Sequence, residues 1–191
     1  MLRAVFFDMD GTITRPYLDF GALRALVGAP AGVPIMAHIA SLEAAARARA
    51  EQVLAEAEYT AATTAELNPG ARELLVGLRA CGLRVAVITN NHRRAMEHIV
   101  QRLGLPLDLM LSREDAAAKP APDLLQRALE LLALPAADVL SVGDGRFDQL
   151  ASAAAGIRYI QLAHDGSAPP GVTTIRCLAE LWLHIGRTPP A

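Results

Sequence analysis

The chain is poor in the residues that mark several common classes of protein. Its two cysteines, Cys81 and Cys177, have the spacing of neither a disulfide framework nor a zinc site, which is typical of a protein from a reducing compartment. The formal net charge is −2 and only 4% of the residues are aromatic. The sequence therefore offers neither the broad basic surface nor the interleaved aromatic side chains that nucleic-acid binding needs.

Long apolar runs are also absent from the sequence. No stretch approaches the roughly 20 apolar residues of a transmembrane helix, and the first apolar run meets Asp8 too early to serve as a secretory signal. With 52% hydrophobic residues in 191, the chain can still bury one substantial core and a small appended unit. These properties predict a cytoplasmic protein that binds neither nucleic acid nor membrane.

Lysine is the scarcest of the charged residues. Lys119 is the only lysine in the chain, and arginine supplies the rest of the 18 basic side chains. A sequence that uses guanidinium groups everywhere else indicates a specific reason for one ammonium group. A compact point charge against a phosphate or a carboxylate would be such a reason.

Two aspartates one residue apart follow the first apolar run. The segment Ala4–Phe7 has the composition of a buried strand and leads directly into Asp8-Met9-Asp10-Gly11-Thr12. Because side chains alternate along a strand, Asp8 and Asp10 project to the same face, where two carboxylates could hold a hard cation. Taken alone, the pair could also mark a strand end and a solvated turn, since Asp and Gly are common turn residues.

Two later strands also end in polar side chains. The segment Arg84–Ile88 stops at Thr89-Asn90-Asn91, and Val139–Val142 leads to Asp144 and Asp148. An Asp at a helix start is a good N-cap, so Asp144 and Asp148 alone would not establish a site. In an open α/β sheet, however, the binding crevice lies beyond the carboxyl ends of the strands, where all these side chains fall. The sequence therefore predicts one polar site at that edge.

Strand and helix patterns alternate through most of the chain. This alternation predicts an α/β fold with a doubly wound parallel sheet that is covered by helices on both faces. A terminal amphipathic helix is expected from Leu178 to Ile185. The predicted strands are Ala4–Phe7, Arg84–Ile88, Leu107–Leu111, Val139–Val142 and Arg158–Leu162, with a weak candidate at Val172–Arg176; the predicted helices are Ala71–Cys81, Arg93–Leu103, Pro122–Leu132 and Phe147–Ala155.

The stretch from residue 15 to 68 interrupts this alternation. It shows helical spacing over Tyr17–Val27, Val33–Leu42 and Glu43–Thr64, with no convincing strand. Pro16 before it and Asn68-Pro69-Gly70 after it are suitable hinges. We expect a core domain of residues 1–14 and 69–191 and a small all-helical insertion of residues 15–68. The insertion would be either a lid that excludes water or a helical hairpin that only packs on the core.

The polar residues at the strand ends occur in the order of a known set of motifs. They resemble the four signature motifs of the haloacid dehalogenase (HAD) superfamily, most of whose members are magnesium-dependent phosphatases. The resemblance runs from Asp8 to about Ala155 and is specific as a set. Gly145 stands where many relatives have serine, and Phe147 where many have asparagine, so the chain departs from the family in the contacts around the acids and keeps the acids themselves. The matching residues are Asp8 with Asp10, Thr89, Lys119, and Asp144 with Asp148.

The resemblance implies a Rossmann-like HAD core, a short helical cap inserted after the first motif and a Mg²⁺ cofactor. It also implies that Asp8 is the nucleophile and Asp10 the general acid/base. By the same resemblance, the phosphoryl group is held by Thr89, Asn90 and Lys119. The metal is held by the carboxylates of Asp8, Asp144 and Asp148 and by Asp10, which contributes through a backbone carbonyl near it.

Phosphoryl transfer needs the same types of residue on chemical grounds. It requires an in-line nucleophile, positive charge around the phosphoryl oxygens and a metal that neutralises developing charge. Attack by the Asp8 carboxylate would form an aspartyl-phosphate, Asp10 could exchange protons, and Lys119 could supply a preorganised donor. The predicted function is a Mg²⁺-dependent phosphatase that hydrolyses a small phosphomonoester.

Several alternatives stay open at this point. A phosphomutase would pass the same intermediate to a sugar hydroxyl, and a 2-haloacid dehalogenase would use Asp8 without a metal or a protonating acid, which Asp10 argues against. A non-catalytic module could keep the crevice to bind a phosphate ligand. The partner would be a small phosphorylated metabolite, with phosphoglycolate and sugar phosphates suggested by the resemblance alone, and the apolar insertion could pair with a second copy to form a homodimer.

Overall fold

The fold is built on one wholly parallel sheet of six strands. A computed structural model describes residues 1–163, 165–167 and 169–190, and its strands lie in the order β3-β2-β1-β4-β5-β6. The predicted doubly wound α/β fold is confirmed. The strands are β1 (Ala4–Phe7), β2 (Arg84–Ile88), β3 (Leu109–Leu111), β4 (Val139–Gly143), β5 (Arg158–Leu162) and β6 (Thr174–Ile175).

Both faces of the sheet are covered, which explains the continuous apolar sequence of its central strands. All four residues of β1 are buried; Val5 and Phe7 join the apolar layer on one face, and Ala4 and Phe6 the layer on the other. Parallel strands that are buried on both sides read in this way because neither face meets water. The flanking helices are α4 (Ala71–Ala80) and α5 (Arg93–Leu103) on the first face, and α6 (Asp123–Leu132) and α7 (Arg146–Ala154) on the second.

The register of the central strands brings the predicted site residues to one edge. Phe7 lies opposite Val87 of β2 and Val142 of β4, and the Asp8 backbone N–H donates to the Val142 carbonyl at 2.9 Å. The side chains that follow β1, β2 and β4 therefore emerge side by side. This is the crevice position expected for an open parallel sheet.

Three helices occupy the interval between β1 and α4. They are α1 (Phe20–Leu26), α2 (Ile35–Ser41) and α3 (Ala44–Ala62), and they share a small apolar cluster around Leu23, Ile39 and Leu54. The prediction of helices without strands in this interval is correct in element type. The division into a core of residues 1–14 and 69–191 and a cap of residues 15–68 stays a prediction.

Several predicted elements differ from the structure in length or type; the weak strand candidate Val172–Arg176, for example, is only Thr174–Ile175. The third strand begins at Leu109 because the Asp108 carboxylate, at 2.9 Å, accepts the Val85 N–H that would otherwise bond to a strand carbonyl. The predicted terminal helix is a 3₁₀ turn, Leu178–Leu181, followed by the short helix α8 (Trp182–Ile185). Among the described residues, no helix has the length and apolarity needed to cross a bilayer.

Candidate active site

Three carboxylates from two distant parts of the sequence meet at the edge of the sheet. Asp8 follows β1, Asp144 follows β4 and Asp148 lies in the first turn of α7. Each offers an oxygen atom such that all three oxygens lie within 4.8 Å of one another. Asp148 is buried, Asp8 is partly buried and Asp144 is exposed, so the group is reached from solvent on the Asp144 side.

Two glycines make the approach of these acids possible. Gly11 has a φ of +79°, and a Cβ placed on it would lie 2.2 Å from Asp144 Oδ2. A Cβ on Gly143 would lie 2.5 Å from Cβ and Cγ of Asp148. Any side chain at either position would therefore displace a carboxylate. Glycine is used here because two pieces of backbone and a charged group have to share one small space.

Lys119 lies in the middle of the acidic group. Its Nζ donates to Asp8 Oδ1 at 2.6 Å, to Asp148 Oδ1 at 2.5 Å and to the Ile88 carbonyl at 2.9 Å. The side chain is 5% exposed. Burial by itself would lower the pKa of Lys119, but the charges of Asp148 and Asp8 outweigh it and hold the pKa above its ordinary value. The ammonium group is therefore charged at neutral pH.

The negative charge of the three carboxylates exceeds the positive charge of the one lysine beside them. Burial raises the pKa of Asp8 to about 7; Lys119 opposes this rise, while the charges of Asp148 and Asp144 add to it. Three carboxylates face one ammonium group, and the two glycines leave room for their oxygens to converge. Oxygen donors with excess negative charge are the environment that Mg²⁺ prefers. The residues present therefore fit the cation that the motifs imply.

Asp10 is held in a different environment from Asp8. It is buried, and its Oδ1 accepts the Tyr17 backbone N–H at 2.9 Å. Burial raises the pKa of Asp10 to about 7; the Tyr17 N–H lowers it, and the negative charge of Asp8 raises it further. A carboxyl group with such a pKa exchanges a proton readily at neutral pH.

The turn after β2 carries the predicted phosphoryl-binding residues. Thr89 is buried, and its hydroxyl accepts the Asn91 backbone N–H at 3.2 Å. The Asn90 side-chain amide forms two hydrogen bonds with the backbone of Lys119. Its Oδ1 accepts the Lys119 N–H at 2.8 Å, and its Nδ2 donates to the Lys119 carbonyl at 2.7 Å. Asn90 thus fixes the segment that carries the lysine.

Two tyrosines form hydrogen bonds with the turns that follow β2 and β4, and neither contact was predicted from the sequence. The Tyr17 hydroxyl accepts a hydrogen bond from Asn91 Nδ2 at 2.5 Å, and Tyr159 Oη lies 3.0 and 3.2 Å from the carbonyls of Gly143 and Gly145, to which it donates. Neither tyrosine lies in a spaced motif, so the sequence carries no signal for these contacts.

Two further residues, Asn68 and Glu58, contact the turns of the site, and the position of Glu58 in α3 carries a signal in the sequence. Asn68 is buried, and its Nδ2 donates to the carbonyls of Gly11, Thr12 and Thr14 at 3.2, 2.7 and 3.0 Å, which secures the turn after β1. Glu58 occupies the middle of the buried i, i+4, i+8 row of α3, between Leu54 and Ala62. A charged residue in such a row predicts a buried ionic partner.

Comparison with known proteins shows the family of this chain. A family model described as haloacid dehalogenase-like hydrolase matches residues 2–156. A haloacid dehalogenase-like hydrolase domain-containing protein of Arabidopsis thaliana is 32% identical over 78% of this chain and 66% of its own length, just under two thirds. Phosphoglycolate phosphatase of Rhodospirillum rubrum is 28% identical over 94% of this chain and 86% of its own.

The solved structures show the same fold. The crystal structure of CbbY from Rhodobacter sphaeroides in complex with phosphate has a TM-score of 0.75 at 21% identity and covers 95% of this chain and 96% of that one. A HAD-superfamily hydrolase of subfamily IA from Geobacter sulfurreducens has a TM-score of 0.71 at 20% identity, with coverages of 97% and 100%. With its acids, lysine and hydroxyl at one edge of the sheet and the family match over most of its length, this chain belongs to the haloacid dehalogenase-like hydrolases.

Proposed function

We propose that the protein is a Mg²⁺-dependent phosphatase that hydrolyses a small phosphomonoester through an aspartyl-phosphate on Asp8. The observation that carries this proposal is the meeting of Asp8, Asp144, Asp148 and Lys119 in one crevice. They come from three separate parts of the sequence, and Asp8, Asp148 and Lys119 are wholly or partly buried, which is costly for charged groups unless they are used or fully paired.

The first half of the reaction transfers the phosphoryl group to Asp8. A carboxylate oxygen of Asp8 forms a bond to phosphorus while the ester P–O bond breaks, and Asp10 donates its proton to the leaving alkoxide. Asp10 is suited to this role because burial raises its pKa to about 7, so that it can carry that proton at neutral pH. The Tyr17 N–H fixes one oxygen of Asp10 in place during the transfer.

The second half releases the product. Asp10, now ionised, takes a proton from a water molecule whose oxygen attacks phosphorus, and the bond between phosphorus and Asp8 breaks to give inorganic phosphate. Division of one displacement into two is the ordinary advantage of a covalent intermediate. Lys119 and the Thr89 hydroxyl are the proposed donors to the phosphoryl oxygens, and both are fixed before substrate arrives.

The cation would be held by Asp8, Asp144 and Asp148, with a backbone carbonyl near Asp10 as a further ligand. When bound, Mg²⁺ neutralises negative charge on the phosphate and orients it. Asp148 also holds Lys119 at 2.5 Å, so it serves the ammonium group as well as the cation site.

The proposed substrate is a small phosphorylated metabolite. One relative is a phosphoglycolate phosphatase, and a structure with the same fold contains CbbY with xylulose-1,5-bisphosphate. Phosphoglycolate and sugar bisphosphates are therefore the first members of a screen. Product analysis of that screen separates hydrolysis from transfer to a second hydroxyl, and a chelator separates both from a metal-independent dehalogenase.

Substitution of the nucleophile tests the proposal directly. The Asp8→Asn variant should keep its fold and lose at least 10³-fold of its phosphatase activity, as removal of a covalent nucleophile does elsewhere. Asp138→Asn, at the opposite edge of the sheet, is the matched control and should keep full activity. Retained turnover in Asp8→Asn, measured with an aryl phosphate and Mg²⁺, would falsify the assignment.

A further inference from the structure

A buried ion pair joins the helical insertion to the core beside the active site. Arg113 Nη1 donates to Oε1 and Oε2 of Glu58 at 2.7 and 2.8 Å, and the two side chains are 6% and 5% exposed. Glu58 belongs to α3, whereas Arg113 follows β3. Neither residue has a part in the proposed reaction.

Both members of the pair also hold the turn after β2. Arg113 Nη1 donates to the Asn90 carbonyl at 2.8 Å, and Glu58 Oε2 accepts the His92 backbone N–H at 2.9 Å. The two members of one ion pair therefore bind the backbone of the turn of residues 90–92 at both of its ends. Thr89, the proposed phosphoryl ligand, directly precedes this turn.

The same turn is connected to the nucleophile through a continuous series of hydrogen bonds. Asn90 binds the backbone N–H and carbonyl of Lys119 at 2.8 and 2.7 Å, and Lys119 Nζ donates to Asp8 at 2.6 Å. Three successive contacts therefore lead from the Glu58 carboxylate, through Arg113 and Asn90, to the backbone of Lys119.

Attachment of α3 to the core does not explain why this pair is buried. The exposed pair of Arg94 with Glu56, at 2.8 Å, joins α3 to α5, and the Arg94 guanidinium also lies 3.7 Å from the Tyr59 ring centroid. Such exposed contacts fasten two helices without the desolvation that a buried pair requires. A buried pair is better suited to hold its hydrogen-bonding partners in one arrangement.

We propose that Glu58 and Arg113 are positioning residues that set the phosphoryl-binding turn and, through Asn90, the lysine. This inference rests on the proposed phosphatase function and deepens it, because it makes phosphate affinity depend on a side chain of the insertion. Placement of α3 and competence of the phosphate site are then coupled.

The test compares two glutamates of the same helix. Glu58→Gln keeps the size of the side chain and removes the charge that holds Arg113, whereas Glu56→Gln removes the exposed partner of Arg94. Inorganic phosphate, titrated calorimetrically with Mg²⁺ present, reports the site without turnover. We expect Glu58→Gln to weaken phosphate binding and raise KM by on the order of tenfold, and Glu56→Gln to change neither by more than about twofold.

A double-variant experiment follows the coupling through Asn90. In an Asn90→Ala background, Glu58→Gln should weaken phosphate binding by a smaller factor than it does in the wild type, because the connection to Lys119 is already broken and only the effect on the turn that carries Thr89 is left. Equal effects of Glu58→Gln in both backgrounds would overturn this route. Glu58→Asp, which keeps the charge, provides a second variant if Glu58→Gln does not fold, and should retain part of the affinity.

The inference and the proposed function fail in different ways. Phosphate affinity in Glu58→Gln equal to that of wild type, with only a lower melting temperature, would reduce the pair to a structural contact and overturn the inference. A wild-type protein that binds phosphate but hydrolyses no phosphate ester in the screen would overturn the proposed function instead, while the affinity comparison would still decide the coupling.

Discussion

Substitution of Gly11 by alanine tests whether the acid cluster depends on the space beside this glycine, because the added methyl group would occupy the position of the Asp144 carboxylate. Gly11 has a φ of +79°, and the added Cβ would lie 2.2 Å from Asp144 Oδ2. Real Cβ contacts essentially never fall below 3.0 Å, so the carboxylate has to move by roughly 1 Å, several times the ~0.2 Å tolerance of metal–ligand distances.

The variant has two costs, and a matched control separates them. An alanine in the left-handed region costs about 1–2 kcal/mol of stability wherever it is placed. Gly82 has a φ of +76° at the opposite edge of the sheet, and a Cβ on it meets nothing within 4 Å. Gly82→Ala should therefore lose the same free energy of unfolding and keep its activity. Gly11→Ala should also lose about 100-fold in kcat/KM through displacement of Asp144.

Two assays decide the outcome. Urea unfolding gives the free energy of unfolding of each variant, and calorimetric titration with Mg²⁺ gives the affinity of the free protein for the cation. We expect Mg²⁺ affinity to fall by at least tenfold in Gly11→Ala and to stay at the wild-type value in Gly82→Ala. Equal Mg²⁺ affinity and equal kcat/KM in the two variants would refute the argument that Asp144 needs the space beside Gly11.

Two further predictions concern proton exchange and pH. Asp10→Asn should lower kcat by roughly 10²–10⁴-fold for alkyl phosphates and by less for an aryl phosphate, whose leaving group needs little protonation; equal losses would contradict its role as general acid. Burial would raise the pKa of Asp115, but the Ser112 backbone N–H and the Arg93 guanidinium outweigh it and hold the pKa below its ordinary value. A lowered pKa stabilises the fold above the unfolded value of about 3.9, and this contribution is lost as pH falls through the folded pKa. Asp115→Asn should therefore be less stable than wild type at pH 7 and approach it below about pH 4, as urea unfolding at a series of pH values will show; a difference that does not change with pH would contradict the assignment.

The sequence contained most of what defines the sheet. The central strands are buried on both faces, so their apolar, β-branched segments stand out, and the structure confirms the bounds of Ala4–Phe7 and Arg84–Ile88 to the residue. Edge elements were less predictable. β3 is cut short by a side chain, Asp108, whose competition with the strand for a backbone donor has no pattern in sequence.

The candidate site also has one part that the sequence predicts and one part that it does not. Asp8, Asp144, Asp148 and Lys119 were predictable as a group because each lies near a strand end or in a known motif, and the structure brings them together. The residues that hold these side chains in position make contacts between segments that lie far apart in sequence. Arg113 and its partner in α3 are 55 residues apart, a separation that no local pattern encodes. The catalytic roles assigned to the acids stay predictions.

The base of the helical insertion has a consequence for how new variants of this protein can arise. Thr14 pairs with Leu67 in an antiparallel bridge, and the Asn68 N–H donates to the Ile13 carbonyl at 2.9 Å, so the chain leaves the core and returns to it at adjacent points. Because the core itself holds these two ends together, a segment of another length can be grafted between them at little entropic cost. A graft that keeps the Tyr17 N–H on Asp10 and a carboxylate where Glu58 stands would retain the contacts that this interval makes with the acids and with the turn after β2.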